Sequence, residues 1–359
     1  MKPDEAIRFL RQFQELLAEG GFVATYKFAL LQALADLSVE QGAAADGSLP
    51  LHVEQIAEKF IEYYWNQARP FQSQVLRQNT RGQAEVVRLV EQFRAQTDGR
   101  LGRLQASQKA WSSLKRRVAG IVIKMPLWKL QTVGNRQNEF LYRKRDYNNR
   151  TIRLLPGVPE ALRSFHPLLS GMIRGGWISQ IHRIKGNRDV LGPGGELEAF
   201  LFGTDRNSLT QYRDLLRRHQ TGECFYCGKK VNDEGDLDHF IPWSRYPLDL
   251  GHNFVFAHKG CNNAKRDYLA ASVHIERWRM QNLDDGHLLA RAFDQTGLVH
   301  DLERSLLIAR WAYQQGQASQ ARLWLRKGEF EPCDYRWQAA LGTPGGLRLA
   351  ADEETPNYQ

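Results

Sequence analysis

Cysteine is scarce in this chain, four in 359 residues, which excludes the disulfide-stapled architecture of small secreted domains. Long apolar runs are missing as well: none approaches the roughly 18 residues that a membrane-crossing helix needs. The opening Met1-Lys-Pro-Asp-Glu-Ala6 has no apolar stretch of the signal-peptide kind, and no internal repeat is evident. These absences lead to the expectation of a cytoplasmic chain with no membrane partner. Acidic residues, finally, are nearly missing from one long segment. Residues 100–188 hold only Glu139, Asp146 and Glu160 against 19 Lys and Arg, a net of +16, whereas residues 1–99 and 189–359 come to −3 and −4. The overall charge of +9 is therefore concentrated in one quarter of the sequence, a distribution suited to a polyanionic partner.

What is present begins with how the few cysteines are placed. Structural Zn²⁺ takes four Cys or His ligands in a tetrahedron, usually as two close pairs separated by a loop. Cys224-x-x-Cys227 on its own also suits a redox pair, but His258-x-x-Cys261 supplies a second pair and decides for zinc. The segment between the pairs is too short and polar to hold a core, so bound metal would supply folding free energy directly. Within it, Leu237–Ile241 reads as a strand stopped by Pro242 and carrying Asp238-His239, and Asn253–Ala257 alternates like a second strand. Asn262 to Ala271 reads as a helix that starts at Cys261 or Asn262.

In this order and spacing, Cys224-x-x-Cys227, Asp238-His239-x-x-Pro242, Asn253 and Cys261-Asn262-x-x-Lys265 resemble the HNH endonucleases of the zinc-containing ββα-metal nuclease family, over roughly residues 220–270, and among them the bacterial restriction and defence type. His258 stands where many zinc-containing relatives have Cys, a change that preserves ligand chemistry. The resemblance implies His239 as the general base that takes a proton from water, a task matched to an imidazole with an ordinary pKa near ~6.5. It implies Asp238 and Asn262 as ligands of an exchangeable Mg²⁺ or Mn²⁺, Asn253 as the residue that fixes the loop orienting His239, and Lys265 as a cation facing the phosphate. Two metals are expected: a closed structural Zn²⁺ on Cys224, Cys227, His258 and Cys261, and an oxygen-bound catalytic cation.

The rest of the chain, with 42% hydrophobic residues and nine tryptophans, has material for two or three domains. The fold class expected is α+β, mostly helical, with the ββα-metal core flanked by helical N- and C-terminal regions. Residues 1–99 read as a helical domain: Thr25–Glu40 carries Phe28, Leu30, Leu31, Leu34, Ala35 and Leu37 on a wide stripe, Leu49-Pro-Leu51 is extended, and His52–Gln67 turns Ile56, Phe60, Ile61, Tyr64 and Trp65 inward. That order fits either the beginning of a winged helix or an ordinary helical bundle. The basic residues 100–188 read as a mixed α/β DNA-binding region, with strands at Gly120–Leu130 (containing Ile121-Val-Ile123), Phe140–Arg143 and Thr151–Leu155, a helix from Val158 to Leu169, and an interruption at Gly175-Gly176. Lys115-Arg116-Arg117 and Arg143-Lys144-Arg145, interleaved with aromatic residues, are its candidate contacts with double-stranded DNA. Residues 189–207, containing Gly192-Pro-Gly-Gly195, read as a linker, 208–272 as the nuclease domain, 273–341 as a helical scaffold that includes Ser319–Lys327, and 342–359 as a disordered tail.

Three functions follow. The first is a metal-dependent DNA endonuclease or nickase of restriction or anti-phage defence. The second is a non-catalytic, zinc-stapled DNA-binding protein, and the third an HNH nuclease of a mobile element. Asp238, His239 and Asn262 occurring together favours the two catalytic readings. Cutting both strands would call for a homodimer or sequential nicking, and other defence-system proteins are further candidate partners.

Overall fold

The computed structural model describes residues 1–19, 23–148, 150–191, 196–204, 206–284 and 286–342. The chain divides into two compact units: Met1–Tyr212 with Pro247–Gly251 and Ala292–His300, and Arg213–Tyr246 with His252–Arg291 and Asp301–Gln359. Residues 1–99 and 100–188 thus fall in one unit. The molecule is mostly helical with small two-stranded sheets. Among the described residues no helix is long and apolar enough to cross a membrane.

The first unit is built around the helix Tyr26–Gln41, in which every residue from Phe28 to Glu40 is buried. The sequence stripe covers only part of that surface, so the remaining polar positions need internal partners. Asp36 accepts hydrogen bonds from Gln32 at 2.8 Å and the Tyr63 hydroxyl at 2.6 Å, and pairs with His166 at 2.7 Å. Lys59 lies 2.6 Å from Glu40 and 3.4 Å from Glu62. Val53–Gln67 and His166–Arg183 pack against the central helix. The extended Leu49–His52 pairs antiparallel with Thr151–Leu154, setting Leu51 opposite Ile152.

Several local expectations differ from this unit. Gly120–Leu130 is not a strand: Ile121–Ile123 lies in the helix Gln108–Lys124, where Leu114, Val118, Ile121 and Val122 form a buried face at helical spacing, and Pro126–Lys129 is a further short helix. A short β-branched run is ambiguous by itself, and the stripe that begins at Leu114 resolves it. Phe140–Arg143 contributes a single bridge, Tyr142 to Leu154. Gly175-Gly176 lies inside the continuous helix His166–Arg183; a Cβ on Gly176 would come within 2.6 Å of the Phe28 ring, so this glycine permits close helix packing rather than a break. Of residues 189–207, Gly192–Gly195 lie outside the described residues, while Glu196–Phe202 is a helix whose Leu197 and Leu201 join the core.

In the second unit, Asp236–His239 pairs antiparallel with Phe254–Ala257, with Asp238 opposite Val255 and His239 opposite Phe254. The helix that follows is Lys259–Lys265, starting earlier and ending sooner than Asn262–Ala271. Its end is set at Arg266, whose backbone (φ 50°, ψ −130°) cannot continue a helix. Behind these elements lie the helices Ser272–Arg279 and Leu302–Ala318, the latter burying Leu306, Ala309, Ala312 and Tyr313. The expected helix Ser319–Lys327 is instead the first strand of a hairpin, Arg322–Arg326 paired with Glu329–Pro332. Gly328 at φ +80° makes the turn, and the Trp324 amide donates to the Leu269 carbonyl at 2.8 Å. Residues 343–359, most of the expected tail, lie outside the described residues.

Candidate active site and metal centre

The tight turn Cys224–Cys227 and the helix start at His258 bring four soft donors together. One ligand atom each of Cys224, Cys227, His258 and Cys261 lies within 4.8 Å of the others. Sulfurs bound at about 2.3 Å around tetrahedral zinc stand about 3.8 Å apart, so the cluster fits that ion with little movement. The His258 Nε2 faces the Lys230 carbonyl at 3.1 Å, while Nδ1 lies 3.3 Å from the Cys227 sulfur. A carbonyl can only accept, so Nε2 carries the proton and Nδ1 is the ligand end. Burial and the neighbouring Cys224 and Cys227 thiols push the Cys261 thiol up to about 12. Burial opposes the Cys227 thiolate too, but hydrogen bonds led by the Lys229 amide outweigh it and hold this thiol below its ordinary value. Three sulfurs with one imidazole are the donor set that selects a zinc-like ion.

Beside this cluster, the hairpin and the short helix enclose a cleft of about 420 Å³ lined by Asp238, His239, Trp243, Asn262, Arg266 and Asp267 among others. Strand pairing fixes the backbone of the first two, Asp238 opposite Val255 and His239 opposite Phe254, and both line the cleft. The His239 ring lies 4.7 Å from the Phe254 ring and 5.5 Å from that of Trp243, centroid to centroid. Asn262 donates from Nδ2 to the Asp236 carboxylate at 3.2 Å.

Asp238 is nearly buried and holds two donors on Oδ2: the Tyr226 hydroxyl at 2.5 Å and the Lys265 ammonium at 3.1 Å. Lys265 is completely buried and also donates to the His239 carbonyl at 2.8 Å. The expectation that Lys265 faces a phosphate is therefore corrected: its ammonium is turned inward, joining the backbone of one catalytic candidate to the carboxylate of the other. Burial lowers the Lys265 pKa against the opposing pull of Asp238, and burial followed by the Asp238 charge drives the Tyr226 hydroxyl well above its ordinary value. Lys265 is an ion-pair partner and Tyr226 a neutral donor. Nothing in the C-x-x-C spacing marks Tyr226 for this part, and only the fold reveals it.

Asn253 brackets the residue two places beyond His239. Its Nδ2 donates to the Ile241 carbonyl at 3.0 Å and its Oδ1 accepts from the Ile241 amide at 2.8 Å. Arg277 donates to the carbonyls of Phe225 and Tyr226, the latter at 3.0 Å, and so ties the C-x-x-C turn to the helix behind it.

The basic candidates belong to the first unit. Arg116, Arg117, Arg143 and Arg145 are exposed. Lys144 lies 4.6 Å over the ring of Trp128, itself 51% exposed. Lys115 differs: it is half-buried, 3.6 Å from the Glu58 carboxylate and 5.5 Å over the Trp111 ring.

Two family models match parts of the chain. Residues 224–271 match the family model described as HNH endonuclease, and residues 7–192 match one described as Domain of unknown function (DUF8808). No curated protein and no solved structure matches. The second match spans more than half of the 359 residues: the chain belongs to the family described as Domain of unknown function (DUF8808), and it carries an HNH endonuclease domain at residues 224–271.

Proposed function

We propose that the protein is a metal-dependent HNH endonuclease or nickase that hydrolyses DNA phosphodiester bonds. The observation that carries this reading is the convergence of Asp238, His239 and Asn262 on one cleft beside a Cys₃His cluster. His239 acts as general base toward the attacking water, its ring against those of Phe254 and Trp243. Asp238 and Asn262 are oxygen donors of the kind a hard cation takes, and they would hold Mg²⁺ or Mn²⁺. When bound, that cation would stabilise charge on the leaving oxygen. Asn253 positions His239 by fixing Ile241, and Lys265 positions Asp238 by its ion pair. Cys224, Cys227, His258 and Cys261 would hold a structural Zn²⁺. The core is read as the ββα-metal fold, with the hairpin and the helix Lys259–Lys265 as its three elements. Arg116, Arg117, Arg143, Lys144 and Arg145 are read as phosphate contacts of the basic region. The setting inferred from the family resemblance is restriction or anti-phage defence.

The test uses supercoiled plasmid, Mg²⁺ or Mn²⁺, and the full-length protein beside His239→Ala. The expected result is nicked or linear product from the native chain and a loss on the order of 10²- to 10⁴-fold in the variant, the contribution of a general base. Equal cleavage by both proteins, or by neither, rejects the reading.

A further inference from the structure

The turn that closes the cleft holds an arginine where the backbone favours glycine. Lys265 to Tyr268 is a tight turn closed by the Tyr268 amide on the Lys265 carbonyl at 3.1 Å. Arg266 is its first central residue, with φ 50° and ψ −130°, the geometry of a type II′ turn, in which glycine dominates that place. A Cβ is strained there, and such strain persists only where surrounding structure enforces it, most often at ligand clamps and active sites. Its neighbours enforce it here. Lys265 is locked inward on Asp238 and the His239 carbonyl, and Leu269 is buried two residues past Asp267. The chain therefore reverses over Arg266 and Asp267, and Arg266 lines the cleft with Asp238, His239 and Asn262. Its side chain is exposed, and its guanidinium makes no ion pair or side-chain hydrogen bond among the described residues. Lys265, the residue before it, is fully buried and engaged by Asp238. A cleft for a phosphodiester with two acids on its wall needs a cation facing the substrate, and the guanidinium fork matches phosphate oxygens two at a time.

We infer that Arg266 is the phosphate-holding residue of the cleft, kept at a strained turn because its side chain and not its backbone is needed there. The inference deepens the nuclease reading and rests on it for the identity of the ligand, DNA phosphate. Arg266→Gly separates the two demands on the position, since it relieves the turn and removes the guanidinium together. The variant is expected to melt about 2–4 °C higher, the shift that one relieved strain makes in a domain of this size. Plasmid cleavage is expected to fall on the order of 10²-fold, as for loss of one charge-stabilising donor. Arg266→Lys keeps the charge without the fork and recovers part of the activity.

Binding to a duplex oligonucleotide in chelator, followed across a salt series, reads the same interaction without turnover. The slope of log affinity against log salt is expected to shrink by about 0.9 in Arg266→Gly, which neutralises one phosphate fewer. An unchanged slope, or Arg266→Gly cutting at the native rate, overturns the inference. So does an Arg266→Gly chain that melts lower and loses activity which Arg266→Lys does not restore, because Arg266 would then be structural. Should the native chain fail to cut plasmid, the nuclease reading falls while the salt slope still decides whether Arg266 grips phosphate.

Discussion

At the scale of single residues, the buried pair of Asp238 and Lys265 sets the character of the site. Both groups lie out of water, 3.1 Å apart, and Tyr226 adds a second contact on the same carboxylate oxygen. An ion pair in that setting contributes little net stability, but removing one partner strands a buried charge. Lys265→Met is therefore expected to lower the unfolding free energy by about 3–5 kcal/mol, measured by denaturant titration. Asp238→Asn added to Lys265→Met removes the stranded charge, so the double variant should recover much of that loss while remaining inactive on plasmid. A double variant as unstable as Lys265→Met would show that the ammonium is needed for something other than Asp238. Asp238, His239, Asn253 and Asn262 are marked in the sequence by their resemblance to the HNH motif. The same resemblance misplaces Lys265, because a lysine one helical turn after Asn262 looks the same whether it points at solvent or into the core. A fully buried lysine is rare enough that exposure is the natural reading.

At the scale of elements, the Cys₃His cluster joins the C-x-x-C turn to the start of the helix Lys259–Lys265. The C-x-x-C turn, the strand Asp236–His239 and the start of the helix Lys259–Lys265 are short, and a seven-residue helix is marginal without tertiary support. Removing zinc with a strong chelator should lower the melting temperature of the second unit and abolish cleavage, and Zn²⁺ but not Mg²⁺ should restore the melt. Cys261→Ser should give less than one zinc per chain by metal analysis and lose the same transition. An unaltered melt on zinc removal would mean that the apolar packing of Phe225, Phe240 and Trp278 suffices. The two strands beside this cluster are legible as short apolar runs next to the ligand pairs, although Phe254–Ala257 is buried at every position and does not alternate. The elements that escaped depend on context. Ile121–Ile123 shares its β-branched composition with strands but continues a helical stripe from Leu114, and Arg322–Arg326 becomes a strand because Gly328 turns the chain back.

At the scale of the whole molecule, charge and connectivity are legible to different degrees. Summing charge along the chain locates the basic segment 100–188 without any fold, since net charge needs only composition. Membership of the two units is another matter: Pro247–Gly251 and Ala292–His300 belong with Met1–Tyr212, and local pattern has no means of assigning two short excursions to a distant part of the sequence. The structure also sorts cations that the sequence treats as equals. Lys115, Arg116 and Arg117 are one cluster on paper, yet Lys115 faces Glu58 at 3.6 Å while Arg116 and Arg117 are exposed. A paired, half-buried ammonium releases no counterion when DNA arrives, whereas an exposed guanidinium does. Duplex binding across a salt series should therefore give a slope unchanged in Lys115→Gln. In Arg116→Gln/Arg117→Gln and in Arg143→Gln/Arg145→Gln the slope should shrink by about 0.9 for each phosphate that is no longer neutralised. Equal slopes in all three variants would place the phosphate contacts elsewhere on the protein, while a shrunken slope in Lys115→Gln alone would mean that DNA displaces Glu58 from its partner.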